Sequence, residues 1–241
     1  MIEQLVPTNV AVASTREDLT DVELFADEER SVGRAVEKRR REFVTGRACA
    51  RRALQRLGIT PVAIRNGQRG EPVWPSGVVG SITHCAGYRA CAVADAEDVS
   101  TVGIDAEVHE PLPGGVLEQV AFGRELAMVA DRGAGVYLDR LLFSAKEAVF
   151  KAWFPLAGRW LGFEDVDLSI DVRGGAFCAR LLVPGPVVDG VRLTEFRGRW
   201  CVEEDIVAAA VVVLPVTLGA ISRRRELGFG FAIAPEQTAG P

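Results

Sequence analysis

An order of elements that occurs twice narrows the possible folds more than any other feature of this sequence. Between Asp27 and Leu57, apolar Val36, Phe43, Val44, Ala50, Ala53, Leu54 and Leu57 recur at helical spacing, with Gly46 as a bend and Gly58 as a stop. Three strand-like runs follow, Val78 to His84, Tyr88 to Ala94 and Thr101 to Glu107, separated by Ala86-Gly87 and Ala96-Glu97-Asp98. Such short connections favour an antiparallel meander. After a Pro- and Gly-rich loop at 110–115 the pattern turns helical again, strongest from Tyr137 to Phe154 and ending at Pro155. Four more strand-like runs then appear at 166–172, 176–183, 193–202 and 206–214. Helix then sheet, twice over, predicts an α+β chain of two similar lobes. We expect the first to cover residues 1–103 and the second 104–241, with a poorly ordered tail from about residue 215.

The 241 residues are 48% hydrophobic and 25% charged, a composition with enough apolar mass for a sizeable core. A net charge of −5 gives no reason to expect nucleic acid or a membrane surface as partner, so any anion site must be built locally. Five cysteines without CxxC spacing read as small hydrophobes in a reducing cytoplasm. No signal peptide opens the chain and no apolar run is long enough to span a bilayer.

Four short patterns carry possible chemistry. Asp105 and Glu107 alternate along one strand and share a face, opposite apolar Val102 and Ile104. Two carboxylates on one face repel unless a cation lies between them, although a solvated strand end would look the same. Glu147 and Lys151 lie one turn apart on the strongest helix, amid apolar residues on nearly all sides, where an ion pair is costly without a specific partner. Thr83-His84 ends the first strand of the meander; His84 is one of only two histidines, and the other, His109, reads as a surface loop residue. Arg69-Gly70-Glu71-Pro72 forms a stiff turn that would hold an arginine in place. Magnesium binds through one or two carboxylates plus substrate phosphates, and arginine forks onto phosphate oxygens, so the four together suit a polyphosphate ligand. Neither a P-loop nor a G-x-G-x-x-G fingerprint is present.

The ordered set Gly80-Ser-Ile-Thr-His84, Gly103-Ile-Asp-Ala-Glu107 and Phe143-Ser-Ala-Lys-Glu-Ala-Val-Phe-Lys151 resembles the 4′-phosphopantetheinyl transferases. It is most similar to their large, broad-specificity bacterial class of the surfactin and enterobactin type. The resemblance implies a pseudo-twofold pair of α+β lobes with the active site between them. It implies Asp105, Glu107 and Glu147 as Mg2+ ligands that meet the pyrophosphate of coenzyme A, with a water possible between Glu107 and the metal. Thr83 and His84 match the pair near the adenosine 3′-phosphate, and Arg39 and Arg47 match basic positions gripping the phosphates, where Lys38 or Arg40 could replace Arg39. Arg69, Gly70 and Pro72 match the loop around the adenosine. Lys151 matches the lysine at the scissile phosphate, while Lys146 and Phe150 match the lining of the pantetheine channel.

The implied reaction moves 4′-phosphopantetheine from coenzyme A to a serine of an apo acyl, peptidyl or polyketide carrier domain, with Glu147 as candidate base. The family expectation is a monomer, and family position puts Leu117, Val120, Phe122 and Arg124 on the carrier-docking face. Two other readings stay open at this level: a magnesium-dependent hydrolase of coenzyme A, and a coenzyme A-binding regulatory module.

Overall fold

A computed structural model of the chain describes residues 1–130 and 135–216. The expected tail from about 215 therefore lies almost wholly outside the described residues. Among those described, twelve strands and five α-helices are β1 (Ala11–Thr15), α1 (Ala26–Val32), α2 (Glu37–Arg56), β2 (Arg65–Asn66), β3 (Pro72–Val73), β4 (Val78–Cys85), β5 (Tyr88–Asp95), β6 (Thr101–Val108), α3 (Leu117–Val120), α4 (Arg124–Val129), α5 (Leu138–Ala157), β7 (Val166–Asp171), β8 (Ala176–Leu181), β9 (Val187–Val188), β10 (Val191–Arg192), β11 (Glu195–Glu203) and β12 (Ile206–Val213).

Two antiparallel sheets form the frame, ordered β1-β5-β4 and β6-β12-β11-β8-β7. Their topologies repeat. In each, a strand leads into helices, a hairpin follows (β4–β5, then β11–β12), and the first strand returns to pair with the hairpin's second arm. The α+β architecture expected from the helix-then-strand order is thus present.

Several local expectations change. The meander does not form: β6 leaves β5 and pairs with β12 from Thr101↔Val213 to Val108↔Ile206, and β1 takes the place beside β5. A division at residue 103 would cut β6, which belongs to the second sheet over its whole length. The helical stretch from Asp27 is two helices, interrupted at 33–36, and Val36 is 74% exposed at the start of α2. Pro155 sits inside the last turn of α5, which runs on to Ala157 and closes on Gly158 in the left-handed region (φ 63°).

Three clusters of buried side chains hold the layers. α2 packs on the first sheet through Cys49, Ala50, Ala53 and Leu54 against Cys91 and Val93. α5 packs on the second through Leu141, Leu142, Ala148, Val149 and Trp153. Between the sheets lie Tyr88, Ala90 and Ala92 of β5 with Val102, Ile104 and Ala106 of β6 and Ile206, Ala208 and Ala210 of β12. Alternation along β6 sends its even residues into this shared core and leaves Thr101, Gly103 and Asp105 to face α5. A Cβ on Gly103 would fall 2.0 Å from the Ala148 carbonyl oxygen, so only glycine lets α5 lie this close to β6.

Where β4 runs beside β6 the two strands share no ladder. Instead, hydroxyls of β4 accept backbone amides of β6: Ile104 N–H donates to Ser81 Oγ at 3.1 Å and Ala106 N–H to Thr83 Oγ1 at 3.0 Å. This seam brings the ends of β4 and β6 and the middle of α5 together.

Candidate active site

Asp105 is the centre of the site. It is 5% exposed, and its Oδ1 accepts hydrogen bonds from Lys151 Nζ (2.7 Å) and Thr83 Oγ1 (3.3 Å). Lys151 also donates to the Ile104 carbonyl oxygen at 3.1 Å, which ties α5 to β6. The second oxygen, Asp105 Oδ2, is buried and has no partner. A buried carboxylate oxygen left bare is costly unless something outside the chain completes it.

Lys151 spends itself on Asp105 and not on Glu147, so the intrahelical pair suggested by i,i+4 spacing is absent. Glu147 makes no hydrogen bond or ion pair among the described residues. Its carboxyl is raised above the ordinary range by burial, with Lys151 opposing and Asp105 adding to the shift. Glu107, half-buried at the end of β6, is pushed up to about 7 by burial and then by Asp105, against the pull of Arg140 and Lys151. Asp105 contributes to both shifts, so a cation beside it would relieve the repulsion. Among the described residues no group of three or more His, Cys, Asp or Glu side chains is placed to hold a metal ion by itself. Magnesium does not require such a group when a phosphate supplies the remaining oxygens, and a bare Asp105 Oδ2 beside an unpartnered Glu147 fits it.

Arg140 was not foreseen. From the first turn of α5 it binds Glu107 Oε2 at 3.1 Å and the carbonyl oxygens of Glu110 and Pro111, both at 3.0 Å. Its four-residue spacing from Ser144 on an apolar helix gave no sign of a target that lies far back in sequence. His109, expected at the surface, is half-buried; its Nε2 accepts the Tyr137 amide (3.1 Å) where α5 begins, and the two rings meet edge to face.

Thr83 and His84, neighbours in sequence, turn to opposite sides of β4. His84 Nε2 lies 2.7 Å from Arg39 Nη1 on α2, and its Nδ1 is 3.7 Å from Glu42 Oε2. Arginine only donates, so Nε2 accepts and the proton rests on Nδ1, facing Glu42. Burial lowers the His84 pKa, opposed by Glu42 and reinforced by Arg39. Arg39 and His84 therefore form a half-exposed basic corner suited to a phosphate. Glu42 is a further residue that the sequence did not single out.

Other expected residues are committed elsewhere. Arg47 is 5% exposed, donates to the Ile64 carbonyl oxygen at 2.8 Å and to Asn66, and stacks on Phe43. Burial pulls its pKa down to about 10. It braces the β2 segment, and its guanidinium does not open onto the Arg39 corner. Lys146 is 3% exposed; its ammonium reaches Glu125 Oε2 (2.7 Å) and the carbonyl oxygens of Val120 and Phe163 (both 2.8 Å), which accounts for all three donors. Its stem still lines a cavity of about 190 Å³ with Glu147, Phe150 and Trp160. Phe150 packs on Trp160, which is 65% exposed (centroids 4.8 Å), so an apolar arm entering there would run alongside Glu147. Arg69 stands over the Phe154 ring, 5.7 Å from its centroid, with Gly70 at φ 89° and Pro72 in β3. Of the four expected docking residues, Val120 is 1% exposed, while Phe122, the half-buried Leu117 and Arg124, exposed although paired with Asp167, remain accessible.

Comparison with known proteins identifies the family of the chain. A family model described as the 4′-phosphopantetheinyl transferase N-terminal domain matches residues 27–94, and one described as the 4′-phosphopantetheinyl transferase superfamily matches 101–211. The chain is 51% identical over 221 residues to the 4′-phosphopantetheinyl transferase Svp of Streptomyces mobaraensis, covering 90% of this chain and 89% of that protein. It is 46% identical over 219 residues to PptT of Mycobacterium tuberculosis, covering 85% and 96%. A more distant similarity, 34% over 133 residues and 53% of this chain, is to enterobactin synthase component D of Salmonella typhi, about half of which (52%) it covers. Extended identity to proteins of one kind, over nearly the whole chain, shows that this chain belongs to the 4′-phosphopantetheinyl transferases.

Proposed function

We propose that this transferase, which moves phosphopantetheine from coenzyme A to apo carrier proteins, does so at Asp105, Glu147 and Lys151 with magnesium held between the two lobes. The observation that carries the reading is Asp105 itself, with Lys151 on one oxygen and the other buried and bare. Asp105 Oδ2 and Glu147 would hold the cation, with Glu107 a third carboxylate at its edge. A bound magnesium ion there would neutralise the pyrophosphate and polarise its phosphorus–oxygen bonds.

The remaining steps fall to side chains of this chain. Arg39 and His84 receive the adenosine 3′-phosphate, and Arg69, Gly70 and Pro72 border the adenosine. Phe150 and the stem of Lys146 guide the pantetheine arm along the cavity beside Glu147. Glu147, which lines the cavity beside the pantetheine arm, takes the proton from the carrier serine. The serine oxygen bonds to the β-phosphorus, the bond to the α-phosphate oxygen breaks, and Lys151 stabilises the charge that develops. The products are holo-carrier and adenosine 3′,5′-bisphosphate. The same reading places the first lobe up to Asp95 and the second from Thr101, and has the chain act as a cytoplasmic monomer on acyl, peptidyl or polyketide carrier domains.

Incubation with coenzyme A, magnesium and a panel of apo carriers, followed by carrier mass, tests the reading. Modification should stop on chelation and resume with added magnesium. No mass gain on any carrier, or unaltered turnover by Glu147→Gln at saturating magnesium, would overturn it.

A further inference from the structure

We infer that Thr83 is a positioning residue for Asp105, and that its hydroxyl takes no part in gripping the adenosine phosphate. Family resemblance groups Thr83 with His84, but the two side chains leave β4 on opposite sides. His84 reaches Arg39 at 2.7 Å. Thr83 is 2% exposed, and both functions of its hydroxyl are in use: the oxygen accepts Ala106 N–H at 3.0 Å and the proton goes to Asp105 Oδ1 at 3.3 Å. A phosphate at the Arg39 corner would find no free hydroxyl there.

Ser81, two residues earlier on the same face, provides an internal comparison. It accepts the Ile104 amide at 3.1 Å in the same manner, but among the described residues its hydroxyl makes no hydrogen bond to a carboxylate. Ser81 only joins the strands; Thr83 joins them and passes the join on to Asp105. With Thr83 from the first lobe and Lys151 from the second both on Oδ1, Asp105 is fixed in the rotamer that leaves Oδ2 bare. The orientation of the central carboxylate thus depends on the seam between lobes. This rests on the reading of Asp105 as a cation holder.

The test compares Thr83→Val, Thr83→Ser and Ser81→Ala with the parent enzyme. Steady-state rates are measured with coenzyme A and with 3′-dephospho-coenzyme A, and thermal unfolding is followed in a magnesium titration without substrate. Thr83→Val should lower kcat about ten- to a hundredfold with both co-substrates alike. It should leave the ratio of their KM values unchanged and raise several-fold the magnesium concentration that half-stabilises the protein. Thr83→Ser should restore all three, and Ser81→Ala should lower only the melting temperature. Should Thr83→Val not fold, Thr83→Cys, whose thiol is a weak donor, carries the same comparison. A KM increase confined to coenzyme A would assign Thr83 to the phosphate and overturn the inference, as would a Thr83 variant that behaves like Ser81→Ala. If magnesium fails to stabilise even the parent protein, the metal reading fails, and the co-substrate comparison still decides the role of Thr83.

Discussion

The Lys151 ammonium lies 2.7 Å from Asp105 Oδ1, joining the middle of α5 to β6 and neutralising the carboxylate that a cation would share. Lys151 therefore competes mildly with metal for Asp105 while serving the transfer itself. Lys151→Met should lower kcat by about 100-fold or more, the scale of losing a charged stabiliser of the transition state. Magnesium should bind the variant at least as tightly as the parent in a thermal-shift titration. Weaker binding would show that the ammonium helps to build the metal site and does not compete for it.

How much of this was legible in the sequence depended on whether the cause was local. The runs Val78 to His84 and Ile206 to Leu214 match β4 and β12 to within a residue, because alternating apolar positions and flanking turn residues act at short range. The departure of β6 for β12 was not legible, since that partner lies a hundred residues further on and pairing leaves no local mark. At the site, the side chains of Asp105, Glu147 and Lys151 were readable as an acidic and basic set in an apolar setting. Their partners were not: only the fold tells Lys151 to choose Asp105 over the nearer-in-sequence Glu147. The buried partners of Arg47 and of the Lys146 ammonium were illegible for the same reason, as a basic residue in sequence looks alike whether it faces a ligand or a buried carbonyl.

Lys146 and Glu125 form an almost fully enclosed pair, each side chain 1% exposed. Glu125 also accepts the amides of Phe122 and Leu168, so the pair fastens α4 and β7 to α5. Lys146→Met leaves the carboxylate buried without its counter-charge and should cost about 3–5 kcal/mol. Denaturant unfolding should show that loss and its partial recovery in Lys146→Met/Glu125→Gln. A variant of parental stability with a selective fall in kcat would instead make the lysine part of the chemistry.

Glu107 gives the ligand-free protein a pH dependence of definite sign. Its folded pKa, about 7, exceeds the ordinary 4.5, so between those values the native state holds a proton that the unfolded chain has lost. Stability should fall as pH rises through that window, by on the order of 1–3 kcal/mol, and level off above it. Glu107→Gln keeps an oxygen for Arg140 and removes the titration, so its melting temperature should gain on the parent's from pH 5 to pH 8. Magnesium should flatten the parent's profile, because a cation favours the ionised carboxylates. Parallel profiles for the two proteins would show that Glu107 titrates normally.

Gly103 sets the distance on which the site depends. A Cβ there would meet Ala148 O at 2.0 Å and Ala152 N at 2.6 Å, both backbone atoms of α5 that no rotamer change can move aside. Gly103→Ala must lift α5 from β6, and Lys151 rides on the same turn as Ala148 and Ala152. We expect a stability loss of about 1–3 kcal/mol, typical of overpacking. The accompanying fall in kcat should be of the order produced by removing Lys151. Gly114→Ala, where an added Cβ meets nothing within 4 Å, is the matched control and should leave both properties unchanged. Unfolding and rate measurements on the pair decide it: full activity in Gly103→Ala would mean that Lys151 reaches its target without the close approach of helix and strand.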